Sequence, residues 1–146
     1  MARKVFFSFD FQRDLWRANI VRNSGSIEAT SAGGFYEPGL SEQAKGEREI
    51  KKLIDDALKT TNVTVVLIGA ETANRKYVSY EIDKAIESGN AILGIRINNI
   101  KDKDGNVDAP GAVPDALTEL GAPVYTYEYG KIGEWVEEAI KKTRSA

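Results

Sequence analysis

Apolar residues recur along this chain at two periods, and the alternation between them predicts its architecture. Lys4–Phe9, Val63–Gly69 and Ala91–Ile97 are short, nearly uninterrupted apolar runs, the pattern of strands covered on both faces. Between and after them the spacing turns helical. Ile50, Leu53, Ile54, Ala57 and Leu58 share one face of Glu47–Lys59. Val78, Ile82, Ala85 and Ile86 do so in the segment up to Gly89-Asn90, and Ile132, Trp135, Val136, Ala139 and Ile140 in a terminal helix. This is the i, i+3, i+4 repeat of an amphipathic helix. Phe11–Arg22, with Leu15, Ala18, Ile20 and Val21, carries a weaker version. Val124–Tyr129 alternates like an edge strand, and Pro114 opens a short helix through Leu120.

Two segments lack either period. Asn23–Lys45 holds Gly25, Gly33, Gly34, Pro38 and Gly39 and is the least regular part, with a short strand expected around Gly34–Tyr36. Asn98–Val113 reads as a polar loop whose order the sequence leaves open. Strands alternating with helices predict a three-layer, flavodoxin-like α/β fold, a mostly parallel sheet of about five strands with helices on both faces. Its ligands bind beyond the carboxyl ends of the strands. Ser8-Phe9-Asp10, Gly69-Ala70-Glu71-Thr72 and Arg96-Ile97-Asn98-Asn99 should line that rim, with Glu81 near it.

Composition narrows the chemistry. The 146 residues suit a single domain over 1–146, and the 20 basic and 22 acidic residues are mixed along the chain, so neither nucleic acid nor an acidic membrane is an expected partner. No cysteine and no histidine are present. Disulfides, thiolate nucleophiles and the commonest general base and metal ligand are thereby excluded, leaving carboxylates, Ser, Tyr and Lys. No metal site is expected. With no signal-peptide core or membrane-length apolar run, a cytoplasmic location is expected.

Val5-Phe6-Phe7-Ser8-Phe9-Asp10, a hydrophobic strand ending in Ser and an aromatic, resembles the first box of TIR domains. Phe35-Tyr36-Glu37-Pro38-Gly39 resembles their Pro-Gly loop box, and Lys76-Tyr77-Val78-Ser79-Tyr80-Glu81-Ile82 the helix that carries the glutamate of TIR NAD-cleaving enzymes. The order and spacing most resemble the TIR-like family of bacterial Thoeris antiphage defence, over roughly residues 4 to 97. Phe9 stands where many TIR domains have Tyr or His, Glu37 replaces a basic-acidic pair, and Tyr77 replaces a common Trp.

The resemblance implies an enzyme that takes NAD as substrate, with no other cofactor, and makes an ADP-ribose signalling nucleotide, cyclic or linear, for a downstream effector. Glu81 would be catalytic; Ser8, Phe9, Asp10, Phe35, Tyr36 and Tyr77 would bind the substrate. Self-association through TIR–TIR contacts is also implied. The chemistry is consistent with these residue types. Cleaving the nicotinamide–ribose bond passes through an oxocarbenium-like ribosyl state and expels a neutral base. A carboxylate near the ribose and an aromatic wall suffice, with no general acid at the leaving group.

Plainer readings accompany each residue. Glu81 pairs with Lys84 on a surface, Ser8 and Asp10 end a strand and cap a helix, and Phe35 and Tyr36 sit in a core strand. Lys101–Asp108 alternates acids but lacks EF-hand spacing, so it reads as a solvated loop. Trp16 and Trp135 read as core or interface anchors. Two other functions use the same features: a nucleoside deoxyribosyltransferase-like enzyme, which would act on free nucleosides, and a non-enzymatic adaptor working by self-assembly, in which Glu81 is structural. A phosphorylation receiver is disfavoured, because the apolar strand ends in Gly69-Ala70 where the acceptor Asp would stand.

Overall fold

The structure is a computed structural model that describes residues 3–25, 27–31 and 46–145. Strands β1 (Arg3–Ser8), β2 (Ile27–Thr30), β3 (Val63–Ile68), β4 (Ala91–Arg96) and β5 (Val124–Thr126) form one sheet in the order β2-β1-β3-β4-β5. Every pairing is parallel. The connecting helices are α1 (Phe11–Asn23), α2 (Glu47–Lys59), α3 (Val78–Glu87) and α4 (Asp115–Leu120), and α5 (Ile132–Ser145) follows the last strand. Parallel neighbours need crossovers, and the helices that supply them cover the sheet on both sides.

Alternation along β1 and β3 divides the core in two. Val5, Phe7, Val65 and Leu67 face α1 and α5, where Ala18, Val21, Ile132 and Val136 meet them. Phe6, Val66 and Ile68 face α2 and α3, against Ile50, Ile54, Leu58, Val78, Ile82 and Ala85. The β3 strand is buried at every position, as its unbroken apolar run predicts. The sheet is wholly rather than mostly parallel, because every connection described spans a helix.

Several expectations are revised. The second strand is Ile27–Thr30, inside the segment read as irregular; at four residues on a sheet edge, it is too short to show a period. The strand expected around Gly34–Tyr36 lies outside the described residues, as do Phe35, Tyr36 and the Pro38-Gly39 turn. Ile86, placed on the packed stripe of α3, is 46% exposed, and Trp16 on α1 is 51% exposed. Trp135 does anchor a surface of the sheet, stacking on Tyr125 with ring centroids 4.6 Å apart. Among the described residues no helix is long and apolar enough to cross a membrane.

The buried face of α1 explains its weak periodicity. Asp14, Arg17, Ala18 and Val21 are its buried residues, spaced at 3, 4 and 7 from Asp14, so two charged residues occupy a stripe that apolar counting expects to be hydrophobic. Arg17 holds the long loop after β4, with Asp14 buried beside it. Arg17 donates from Nε to the Ile100 carbonyl at 2.7 Å and from Nη2 to the Asn106 carbonyl at 3.0 Å. Arg13 pairs with Asp108 at 3.2 Å, and Arg96 donates to the Gly111 carbonyl at 3.3 Å. Asn98–Val113 is thus a tied strap across the rim. Within its acidic run Asp102 Oδ1 accepts the backbone N–H groups of Asp104 and Asn106, both at 2.9 Å.

Candidate active site

The strand order reverses between β1 and β3, since the chain leaves β1 toward β2 on one side and builds β3, β4 and β5 on the other. At such a switch point the crossovers diverge and leave a crevice beyond the carboxyl ends of the two strands. Ser8 is the last residue of β1, and Gly69 follows the last residue of β3. The chain then turns through Thr72–Asn74, one turn of 3-10 helix. Thr72 Oγ1 fixes that turn, accepting the Gly69 N–H at 2.8 Å and donating to the Leu67 carbonyl at 3.1 Å.

Glu81 lies in the first turn of α3, on its buried side, and is 1% exposed. A carboxylate there is favoured by the positive end of the helix dipole but needs hydrogen-bond donors. Two converge on one oxygen. Ser8 Oγ and an Arg75 guanidinium nitrogen each donate to Glu81 Oε1 at 2.7 Å, and the same nitrogen lies 3.3 Å from Ser8 Oγ. The side chains of Arg75 and Glu81 are 7% and 2% exposed. Glu81 is therefore no surface residue, and Lys84 pairs with Glu87 at 3.4 Å instead.

The other expected site residues divide. Tyr77 is buried just ahead of α3, in the same layer as Glu81. Phe9 points into the opposite layer, stacked on Phe11 with ring centroids 5.6 Å apart, because it follows Ser8 by one residue and strand-like alternation reverses the side. Asp10 caps α1 by accepting the Arg13 N–H at 3.3 Å. Phe35 and Tyr36 lie outside the described residues. Ser8, Tyr77 and Glu81 share the α2/α3 side of the switch point; Phe9 and Asp10 serve α1.

Arg75 was not among the expected residues. Its only sequence signal is a basic residue immediately ahead of the box that carries Glu81, indistinguishable there from Lys76, which is exposed over the Tyr77 ring at 5.4 Å. Asp14 was likewise missed. It is fully buried beneath Gly69, and neither of its oxygens has a hydrogen-bond partner. Arg17, at 3.6 Å, is its paired cation.

Burial, reinforced by Asp10, pushes the Asp14 carboxyl from 3.8 up to about 6; Arg17 opposes this, Asp108 adds to it, and Arg13 opposes it. A carboxyl whose folded value is raised binds its proton more tightly in the native state. Its ionisation therefore costs stability as pH climbs from about 4 through about 6, by on the order of 3 kcal/mol once complete. Asp14→Asn should melt several degrees higher than wild type at pH 8, with the gap narrowing toward pH 4. Thermal melts across that range check it, and a gap independent of pH would contradict the assignment.

Residues 6–102 match the family model for the Thoeris protein ThsB, TIR-like domain. A Bacillus cereus (strain MSX-D12) protein named "Putative cyclic ADP-D-ribose synthase ThsB1" is 44% identical over 146 aligned positions, spanning 94% of this chain and 76% of that protein. The chain belongs to the Thoeris ThsB TIR-like family. A structure described as the activated Roq1 resistosome recognizing the pathogen effector XopQ, in its TIR domains, aligns over 99% of this chain and 86% of that one, at 14% identity and TM-score 0.40. The stretch matching the ThsB family takes in Ser8, Arg75, Tyr77 and Glu81, all four residues of the switch-point cluster on the α2/α3 side. Among the described residues no group of three or more acidic side chains is arranged to hold a metal ion.

Proposed function

We propose that this chain cleaves the nicotinamide–ribose bond of NAD, releasing nicotinamide and closing the remaining nucleotide into a cyclic ADP-ribose signal for antiphage defence. The observation that carries the reading is the buried Glu81 carboxylate, held by Ser8 and Arg75 at the β1/β3 switch point. The name of the Bacillus cereus relative supports the cyclic product.

The reaction asks little beyond electrostatics. As the bond from C1′ to the nicotinamide nitrogen breaks, its electron pair leaves with the base, which becomes neutral, and positive charge moves onto the ribosyl ring. A fixed carboxylate in a site closed to water stabilises that charge at no reorganisation cost. In this reading Glu81 takes that role, with Ser8 orienting it and Tyr77, buried in the same layer, supplying an aromatic surface. A nucleophilic atom of the same molecule's adenine then bonds to C1′ and a proton is lost, giving the cyclic product; water at C1′ would give ADP-ribose. NAD is the substrate, and no further cofactor enters.

The test is to incubate the purified chain with NAD over a range of protein concentrations and resolve the products by chromatography and mass spectrometry. Nicotinamide and a nucleotide lighter than ADP-ribose by one water are the expected products. Specific activity should rise with protein concentration, as self-association through TIR–TIR contacts would require. Absence of nicotinamide at every concentration would overturn the reading. Release of a free base from nucleosides, with NAD untouched, would assign the site to nucleoside transfer instead.

A further inference from the structure

We propose that Asp14 and Arg17 form a proton-operated latch on the strap Asn98–Val113: while Asp14 carries its proton, Arg17 holds the strap down on the rim, and loss of that proton lets the strap lift.

Arg17 stands between the two. Its Nε and Nη2 donate to the strap carbonyls of Ile100 and Asn106 at 2.7 and 3.0 Å. Its remaining nitrogen, Nη1, lies 3.6 Å from Asp14 Oδ1 and 3.8 Å from Asp108 Oδ2, too far from either for a hydrogen bond. With the strap closed the guanidinium spends its short contacts on the strap and offers Asp14 only its charge. Asp14 is fully buried, and neither of its oxygens has a hydrogen-bond partner. Gly69, which lies against Oδ2, supplies none, because its N–H is committed to Thr72 Oγ1 at 2.8 Å.

A carboxyl so placed is tolerated neutral and costly when charged. Asp10 on the same helix and Asp108 on the strap oppose its ionisation, whereas Arg17 and Arg13 favour it; burial outweighs both cations and raises the carboxyl to about 6. Ionised Asp14 gains donors in two ways. Arg17 swings its planar fork onto the carboxylate, which takes Nε and Nη2 from the Ile100 and Asn106 carbonyls, or water enters as the strap parts from α1. Either way the same two hydrogen bonds are lost. The Arg13–Asp108 pair that remains is largely exposed, and such pairs hold weakly. The closed strap sets Gly111 against the Gly69 and Ala70 carbonyls, at the carboxyl end of β3, where ligands of such sheets bind. The latch thus governs how often that end of the crevice opens.

Amide hydrogen exchange of the full chain from about pH 5 to about 7.5, followed by NMR and corrected for intrinsic rates, tests the latch. That window lies above the ordinary Asp and Glu values of about 4. The reporters are the N–H groups of Asp102 and Asp108, bonded within the strap to the Asn106 and Asn98 carbonyls. With Asp14 at about 6 in the closed strap and back at its ordinary 3.8 once water reaches it, the opening equilibrium should rise about tenfold across the window. Asp14→Asn should hold it constant within about twofold. Three results would each overturn the latch: a wild-type strap whose opening ignores pH, a tenfold rise that persists in Asp14→Asn, or strap amides that open no more often than those of β3 and so exchange only by global unfolding. Should Asp14→Asn not fold, the wild-type profile and its comparison with β3 decide. No substrate is present, so the outcome is independent of whether the chain cleaves NAD.

Discussion

Glu81→Gln should lower nicotinamide release from NAD by on the order of 10³-fold, the scale of losing one preorganised electrostatic contact in a water-excluded site. The amide matches the carboxylate in shape and can still accept from Ser8 and Arg75, whose donors meet at Oε1. What it lacks is the charge proposed to stabilise the ribosyl cation. Because the substitution removes the charge that Arg75 meets at 2.7 Å, it also costs stability. A melting curve and Glu81→Asp accompany it. The aspartate keeps the charge but withdraws it by one methylene, and its rate should fall between wild type and the amide. Single-turnover nicotinamide release is the measurement; a folded Glu81→Gln variant within about threefold of wild type would show that the carboxylate is structural, as an adaptor reading requires.

Gly111→Ala should be the most damaging small substitution outside that cluster. A Cβ on Gly111 would overlap the carbonyl oxygen of Gly69 and crowd the Ala70 carbonyl, so two backbone segments must part. No flexible side chain is available to yield. Overpacking of this kind costs about 3 kcal/mol when backbone has to move. For a domain of this size that corresponds to a melting temperature lower by roughly 6 to 12 °C. Should the strap detach instead of the whole fold weakening, amide exchange across Asn98–Val113 would quicken while β3 stays protected. An unchanged melt together with unchanged exchange would contradict the close approach of strap and rim.

The contrast between these two positions shows what pattern can reveal. Glu81 was legible because a carboxylate bordering an apolar helical stripe, inside a short aromatic-rich box, is conspicuous on one element alone. Gly111 sits in a polar loop with several turn-forming residues, and nothing local distinguishes it from Gly105. Its importance comes from Gly69, far away in sequence.

Legible in the chain alone were the alternation of strands and helices, the burial of β3 and β4, the helical faces of α2, α5 and, Ile86 apart, α3, and the box residues that place the chain near TIR-like enzymes. These follow from period and composition, which are local properties. The tertiary structure was needed to choose among readings the chain left open: Asp10 caps α1 and Phe9 packs in its layer while Ser8 turns toward Glu81, because alternation puts neighbours on opposite sides but the crossovers settle which helices cover each side. It alone decided that Arg75, not Lys84, neutralises Glu81, and that Asp14 and Arg17 belong to a buried stripe tying down the strap. A buried charge is tolerated where a partner from another part of the chain meets it, and that meeting is fixed by the packing of elements rather than by the residues on either side.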